Sequence, residues 1–421
     1  MRNIDVVILG AGVAGLGASL KARQLGHNSI IFEERSSAGG LLDNFEVEGY
    51  RFDNAVHLSF AKEQEVRSIF DRTPYYTHPA DSRNFEEDRW LKHPVQNNLY
   101  PLSVEDKVAL VQSFINRSEV LSGDDYESWL RHQYGDAIAE RYPLKYTKKY
   151  WDTPASRLST TWIGNRMRRA NLTEILYGTY TENTPNTYYT KDMRYPVKGG
   201  FKSFIKPLIE QADIRCNHRV TNIDLKKRIV TFNSGESVSY QTLINTIPLP
   251  LFVGLCEGVP ARVRDAASRL IATSIDLISV GFNRIITKDL WFYIYDEDVY
   301  ASRAYSPSVK SPDNAPPGCS SLQFEIYSRG RDSKYSVDEL KNNVMYALKK
   351  MKLAKEEDVE FLHHKHLAWG NVIFDSGLED NRKIVRDFLR SHAVKSCGRF
   401  GEWDYFWSNQ SFMSGYSIDL L

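Results

Sequence analysis

The apolar positions of this chain fall into three regimes. Residues 4–9 are apolar except at Asp5, the pattern of a strand buried on both faces of a parallel sheet. Small and apolar residues then recur at helical spacing over 14–25 and stop at Gly26, which predicts a helix closed by a glycine C-cap. Residues 29–33 read as a second strand. From about 60 to 195 the periodicity is helical, as at Val104–Ile115 and Tyr126–Tyr134, with polar and aromatic spacers. That predicts a helical insertion rather than more parallel sheet. Beyond Gly199-Gly200 a helix over 201–212 leads back to strands: 214–216, a hairpin of 229–232 and 237–240, and a buried strand from 242 running into Pro248. Residues 271–285 and 291–305 are β-rich, 311–318 is a proline-rich loop, and 337–351 is a helix.

A chain of 421 residues exceeds one ordinary core, so several domains are expected. The pattern divides it into a discontinuous first domain (1–60, 196–255 and 390–421), a helical insertion with a substrate loop (61–195), and a mixed α/β substrate domain (256–389) built on a β-sheet. Net charge is +1, which gives no global field for nucleic acid or anionic lipid. An anionic substrate therefore needs a local arginine cluster. No apolar run reaches the ~20 residues of a membrane span. The N-terminus resembles a signal peptide only superficially, because Asp5 interrupts it and the small residues that follow are motif glycines, so a cytoplasmic protein is expected. Cys216, Cys256, Cys319 and Cys397 are scattered, which argues for reduced thiols and against a metal or disulfide framework. The 24 tyrosines and 8 tryptophans serve either as core or as the walls of a pocket for a ring-bearing ligand.

Gly10-Ala11-Gly12-Val13-Ala14-Gly15 fits GxGxxG between strand and helix, and Glu33 ends the next strand. Gly10 permits the sharp turn, Gly12 lets a pyrophosphate approach the backbone, and Gly15 lets helix and strand pack closely. The helix N-terminus at Ala14 offers N–H groups and a positive dipole end. Glu33 would accept hydrogen bonds from the adenosine ribose and disfavour a 2′-phosphate. The run Glu34-Arg35-Ser36-Ser37-Ala38-Gly39-Gly40-Leu41 resembles the extended pattern of a flavoprotein class that includes amine oxidases, protoporphyrinogen oxidases and UDP-galactopyranose mutases. The resemblance implies FAD, with Glu34, Gly40 and Leu41 beside it, and Val220 over the adenine. The implied fold is α/β, a Rossmann-like FAD-binding domain with the helical insertion and β-sheet substrate domain set out above.

Further segments resemble the UDP-galactopyranose mutases within that class. Asp53-Asn54-Ala55-Val56-His57 is similar to a loop placing a histidine by the isoalloxazine. Trp90 to Asn98 is similar to a segment lining the base pocket, which would make His93 and Gln96 substrate contacts. Trp162-Ile163-Gly164-Asn165-Arg166 and the stretch from Trp291 to Arg303 resemble the two arginine segments that hold the substrate diphosphate, the second also carrying Tyr293. Gly398 to Gly415 resembles the terminal motif, in which Arg399 would contact FAD, Tyr405 the substrate phosphate, and Gln410 and Ser411 would open a helix under the flavin. His93 stands where the family has an aromatic residue, the terminal motif is shortened, and an expected phosphate-binding tyrosine falls at Trp369 to Phe374, where none can be placed.

The resemblance implies an isomerase of a UDP- or dTDP-sugar in carbohydrate biosynthesis, of the kind that feeds cell-surface polysaccharide. It would interconvert pyranose and furanose forms through a reduced-flavin N5 adduct, with His57, Arg166 and Arg303 as catalytic groups and an external reductant for the flavin. Two other readings stay open. One is an oxidoreductase of the amine oxidase class that transfers hydride to N5, and the other is a non-catalytic flavoprotein.

Overall fold

The computed structural model describes residues 2–164, 166–167, 171–185 and 192–420. Asn165, within the Trp-x-Gly-x-Arg run, lies outside them. Strand β1 (Arg2–Leu9) turns at Gly10 into helix α1 (Val13–Gln24), which returns through Gly26 (φ 81°) to strand β2 (Ser29–Phe32). Strands β1 and β2 are parallel, and so are Ile214–Arg215 beside β2, and Ser237–Asn245 between β1 and Val394–Ser396. Segments far apart in sequence thus form one parallel sheet, as in doubly wound nucleotide-binding folds. The hairpin of Val220–Asp224 and Ile229–Phe232 extends it antiparallel.

Helix α1 is closed against the C-terminal helix Ser408–Tyr416. A Cβ at Gly415 would lie 2.0 Å from the carbonyl oxygen of Ala14, so the two helices touch backbone to backbone. This contact brings the C-terminal segment to the strand ends of the first sheet.

The second sheet runs Val359–Leu367, Thr273–Phe282, Ser320–Arg329, Arg303–Tyr305, Trp291–Ile294, Arg83–Glu86, Arg89–Lys92. Helix Val337–Lys350 covers one face through Leu340, Val344 and Ala347, which pack with Ile278, Val280 and Phe324. The insertion lays helix Pro143–Trp151 over the other face, where the Tyr146 ring meets Tyr293 at 5.4 Å and the Tyr150 ring meets Tyr327 at 4.8 Å.

Two expectations differ from the structure. The stretch 61–195 is not helical throughout, because Arg83–Glu86 and Arg89–Lys92 form a hairpin that joins the second sheet, parallel to Trp291–Ile294. Its turn, Glu87-Asp88, takes φ of 48° and 64° without a glycine, so the usual composition signal for a tight hairpin is absent. Tyr75–His78 likewise pairs with Met193–Pro196. The helix expected over 201–212 is split into the 3-10 turn Phe201–Phe204 and helix Lys206–Gln211, where Pro207 supplies no N–H to bond back into the preceding turn.

Gly415→Ala is expected to cost about 1–3 kcal/mol, because the added methyl meets a backbone oxygen that cannot swing away. A lower urea midpoint at unchanged m-value checks this. An unchanged midpoint would mean that the two helices are not in tight contact.

Candidate functional site

A cavity of about 650 Å³ lies between the two sheets. From the first-sheet side Gly10, Gly12, Ala14, Glu33, Glu34, Gly40, Leu41 and Val220 line it, and the C-terminal segment adds Arg399 and Ser411. Gly10 holds φ 101°, and Gly15 stands just behind the wall, where a Cβ would lie 2.1 Å from the Gly10 carbonyl oxygen. The buried Glu33 carboxylate accepts the Ala11 N–H at 2.8 Å and the Arg35 N–H at 3.0 Å, one on each oxygen. Each oxygen keeps a lone-pair site for a hydroxyl donor.

Three buried polar atoms on wall residues have no hydrogen-bond partner among the described residues: Asn54 Oδ1, Asn371 Nδ2 and Arg399 Nε. Leaving such an atom unsatisfied costs about 1–3 kcal/mol. A dinucleotide offers hydroxyls, phosphate oxygens and ring carbonyls that meet both the donors and the acceptor, so these residues fit FAD.

The loop carrying His57 is fastened from below. Asp53 Oδ2 pairs with Lys310 Nζ at 2.8 Å, both side chains wholly buried, and Asp53 also accepts the Tyr195 hydroxyl at 2.8 Å and the Phe201 N–H at 3.0 Å. Burial alone would raise the Asp53 carboxyl, but the Lys310 ammonium and its hydrogen bonds outweigh burial and hold the carboxyl below the usual range. Beyond it Ala55 takes φ 73°, a strained value for a residue with a side chain. His57 Nε2 lies 3.0 Å from the carbonyl oxygens of both Leu41 and Asn54. Both are acceptors, so Nε2 carries the proton and Nδ1 keeps its lone pair. Burial pulls the His57 pKa down despite Asp53, which leaves the ring neutral at pH 7.

On the second sheet, register sets the chemistry. Tyr293 pairs with Arg303, and Arg303 with Glu325, so the three stand side by side on the cavity face. Arg303 Nε donates to Glu325 Oε2 at 2.5 Å and Nη2 to the Tyr327 hydroxyl at 3.3 Å, while Tyr327 donates to the same carboxylate at 2.6 Å. Glu325 Oε1 accepts the Val56 N–H at 2.7 Å, so one fully buried carboxylate ties the arginine to the His57 loop. Burial disfavours the Arg303 charge, but Glu325 compensates and the guanidinium stays ionised. His57, Tyr293, Arg303 and Tyr405 all line the cavity.

Four residues expected at the site stand off its wall. Arg166 Nη2 donates to the carbonyl of Tyr405 and to Gln410 Oε1, and its guanidinium lies over the rings of Tyr405 at 4.4 Å and Trp407 at 4.2 Å. Gln410 also accepts the Trp407 N–H at 2.9 Å, so Arg166 and Gln410 brace the turn behind Tyr405. His93 bonds Asn84 Oδ1 through Nδ1 at 3.1 Å, and its ring packs 4.7 Å from Tyr293. Gln96 sits in a turn held by Asn97 to Glu174 at 2.8 Å and by Asn98 to the Pro94 carbonyl at 2.8 Å. Sequence reasoning missed Lys310, Glu325, Tyr327 and Tyr150. The available signal was a charged residue inside a β-rich run, Glu325 between Phe324 and Ile326. Where a tyrosine was expected the wall carries Trp369, with Arg331 over its ring at 5.1 Å.

A family model described as flavin containing amine oxidoreductase matches residues 13–378. A crystal structure of reduced UDP-galactopyranose mutase superposes with a TM-score of 0.91 at 25% identity, covering 98% of this chain and 94% of that one. Cyclohexylamine oxidase from Brevibacterium oxydans shares the fold, with a TM-score of 0.68 at 14% identity over 98% of this chain and 97% of that one. Among curated proteins, 4,4'-diapolycopen-4-al dehydrogenase of Metabacillus indicus is 22% identical over 67% of this chain and 63% of its own length. A Flavobacterium 1-hydroxycarotenoid 3,4-desaturase is 45% identical over 11% of this chain and 10% of its own length. The chain thus spans less than two thirds of these curated relatives.

Lys310→Met leaves the Asp53 carboxylate buried without its partner and is expected to cost about 3–5 kcal/mol, whereas Asp53→Asn with Lys310→Met costs less than the single change. Urea unfolding of the three proteins checks this, and equal losses for single and double variants would contradict it. Burial pushes the His93 imidazole down to about 4. The unfolded chain therefore takes up a proton below about pH 6.5 that the native ring refuses. The stability contribution of His93 is intact above that pH and is lost as pH falls through about 4, a swing of about 2–3 kcal/mol. Thermal melts of wild type and His93→Gln between pH 7 and 4 should converge at the acid end.

Proposed function

The chain belongs to the flavin-containing amine oxidoreductase family with FAD as its cofactor, and within that family we propose that it is a flavin-dependent isomerase acting on a nucleoside-diphosphate sugar. The reading is interconversion of pyranose and furanose forms of a UDP- or dTDP-sugar. One observation carries it: an ionised arginine, Arg303, fixed by Glu325 and Tyr327 on the cavity wall. The likeness over nearly the whole chain to a reduced UDP-galactopyranose mutase supports it.

Reduced FAD supplies a nucleophile for the anomeric carbon when bound. The protein must then hold the departing diphosphate, on which negative charge builds. Arg303 meets that charge with its second terminal nitrogen, because Nε and Nη2 are committed to Glu325 and Tyr327. The Tyr405 and Tyr293 hydroxyls stand on the same wall as further donors. Arg166 acts one step removed, holding the Tyr405 turn through its carbonyl. His57, neutral and with Nδ1 free to accept, sits on a loop locked by Asp53 and Glu325.

The aromatic walls Tyr150, Tyr293, Tyr327 and Tyr405 are what an amine oxidase reading would use. Arg303 among them weighs against it, since its remaining N–H groups offer donors for an anion and no acceptor for an ammonium. The reading also needs the flavin to begin reduced, with electrons from an external donor. A cytoplasmic setting matches a nucleotide-sugar substrate.

The FAD-loaded protein reduced with dithionite should interconvert the two ring forms of a UDP- or dTDP-sugar, and the oxidised protein should not. Arg303→Ala should lower kcat/KM by about 100-fold or more while FAD content and thermal midpoint hold. Oxygen consumption with an amine substrate, together with no nucleotide-sugar binding by the reduced protein, would overturn the reading.

A further inference from the structure

The helical insertion puts one hydroxyl into the cavity that none of the roles above uses. Tyr150 is buried on helix Pro143–Trp151 and lines the cavity, and its hydroxyl lies 2.9 Å from the Tyr405 hydroxyl. A pair of phenols at this distance holds two protons, and only one is spent on the bond between them. The other has no protein acceptor among the described residues, so the pair presents one O–H donor to the cavity.

Charge around this donor is one-sided. The Arg303 guanidinium stands 5.4 Å from the Tyr150 ring centre, and Arg399 and Arg166 stand 4.9 and 4.4 Å from that of Tyr405. The carboxylates close by are already engaged: Glu325 is bonded to Arg303, Tyr327 and Val56, and Asp404, which accepts the Tyr405 N–H at 2.7 Å, pairs with Arg382 at 3.2 Å. Two phenols with Arg303 and Arg399 on the same wall, Arg166 behind the Tyr405 ring, and both nearby carboxylates already paired form a place for an anion with several oxygens. Tyr150 and Tyr405 lie 255 residues apart in the chain, so the pair exists only when insertion and C-terminal segment are docked.

We propose that Tyr150 acts in substrate binding through its hydroxyl pair with Tyr405, whose single remaining donor, across from Arg303, completes the locus for the diphosphate of a nucleoside-diphosphate ligand. This rests on the nucleotide-sugar reading above and adds to it a contact from the insertion. Because the hydroxyls are coupled through one hydrogen bond, removing either leaves the other misdirected, and the two losses do not add.

The test is titration of the FAD-loaded, dithionite-reduced protein with UDP and with UMP, followed by flavin fluorescence and by calorimetry. Wild type, Tyr150→Phe, Tyr405→Phe and the double variant are compared, with FAD content and thermal midpoint measured for each. The phenylalanine keeps the ring contacts with Trp151 and Tyr327. Tyr150→Phe should weaken UDP about tenfold and UMP much less, and the double variant should be little worse than the poorer single. Unchanged UDP affinity in Tyr150→Phe overturns the proposal while the nucleotide-sugar reading stands. Equal weakening of UDP and UMP also overturns it, since that marks loss of general packing rather than of a diphosphate contact. Binding of neither nucleotide by wild type overturns the proposal and the functional reading together.

Discussion

A guanidinium buried in the face of a sheet survives only if its charge is met, and here Glu325 meets it from the neighbouring strand. The rest of the site depends on that pair. Antiparallel register places Tyr293, Arg303 and Glu325 in one row, so a one-residue slip in either pairing would send the arginine to the opposite, helix-covered face. The second oxygen of the same carboxylate holds the Val56 N–H and thereby the loop of His57. The buried guanidinium and the loop of His57 are thus fixed by one side chain.

A second buried pair, Asp53 with Lys310, does for the lower side of that loop what Glu325 does for the upper. Between them the chain passes through Ala55 at φ 73°, a conformation that would relax if either anchor were lost. Both anchors join segments far apart in sequence, with partners 257 residues apart in one case and 269 in the other. The cavity is therefore a product of docking. The closing contact between α1 and the C-terminal helix, made through Gly415, belongs to the same assembly and brings Arg399 and Tyr405 to the wall.

The electrostatics of the cavity separate two chemistries that share one fold. Aromatic walls are common to both the oxidase and the mutase readings. What differs is the sign of the charge that the walls tolerate, and Arg303, Arg399 and Arg166 around Tyr150 and Tyr405 favour an anion. Buried tyrosines beside such cations are strong donors that stay protonated, since burial holds the Tyr150 hydroxyl far above its ordinary range.

Much of the dinucleotide half was legible in the residues themselves. Strand, glycine turn, helix and acidic strand end are local patterns, each set by sterics or periodicity within some thirty residues, and Gly10, Gly12 and Glu33 stand on the cavity wall. The second half was legible only as islands: Gln410 opens the C-terminal helix as expected, but position along the chain did not show which of the named side chains reach the cavity wall. Arg166 and Gln410 fold behind Tyr405 rather than facing the cavity, and His93 and Gln96 sit in a loop tied down by its own asparagines. Tertiary structure alone decided the partners of Arg303, the Asp53–Lys310 anchor and the meeting of Tyr150 with Tyr405. The physical reason is that compensation of a buried charge or hydroxyl acts over about 3 Å in space and is indifferent to separation in sequence, so no local pattern records it.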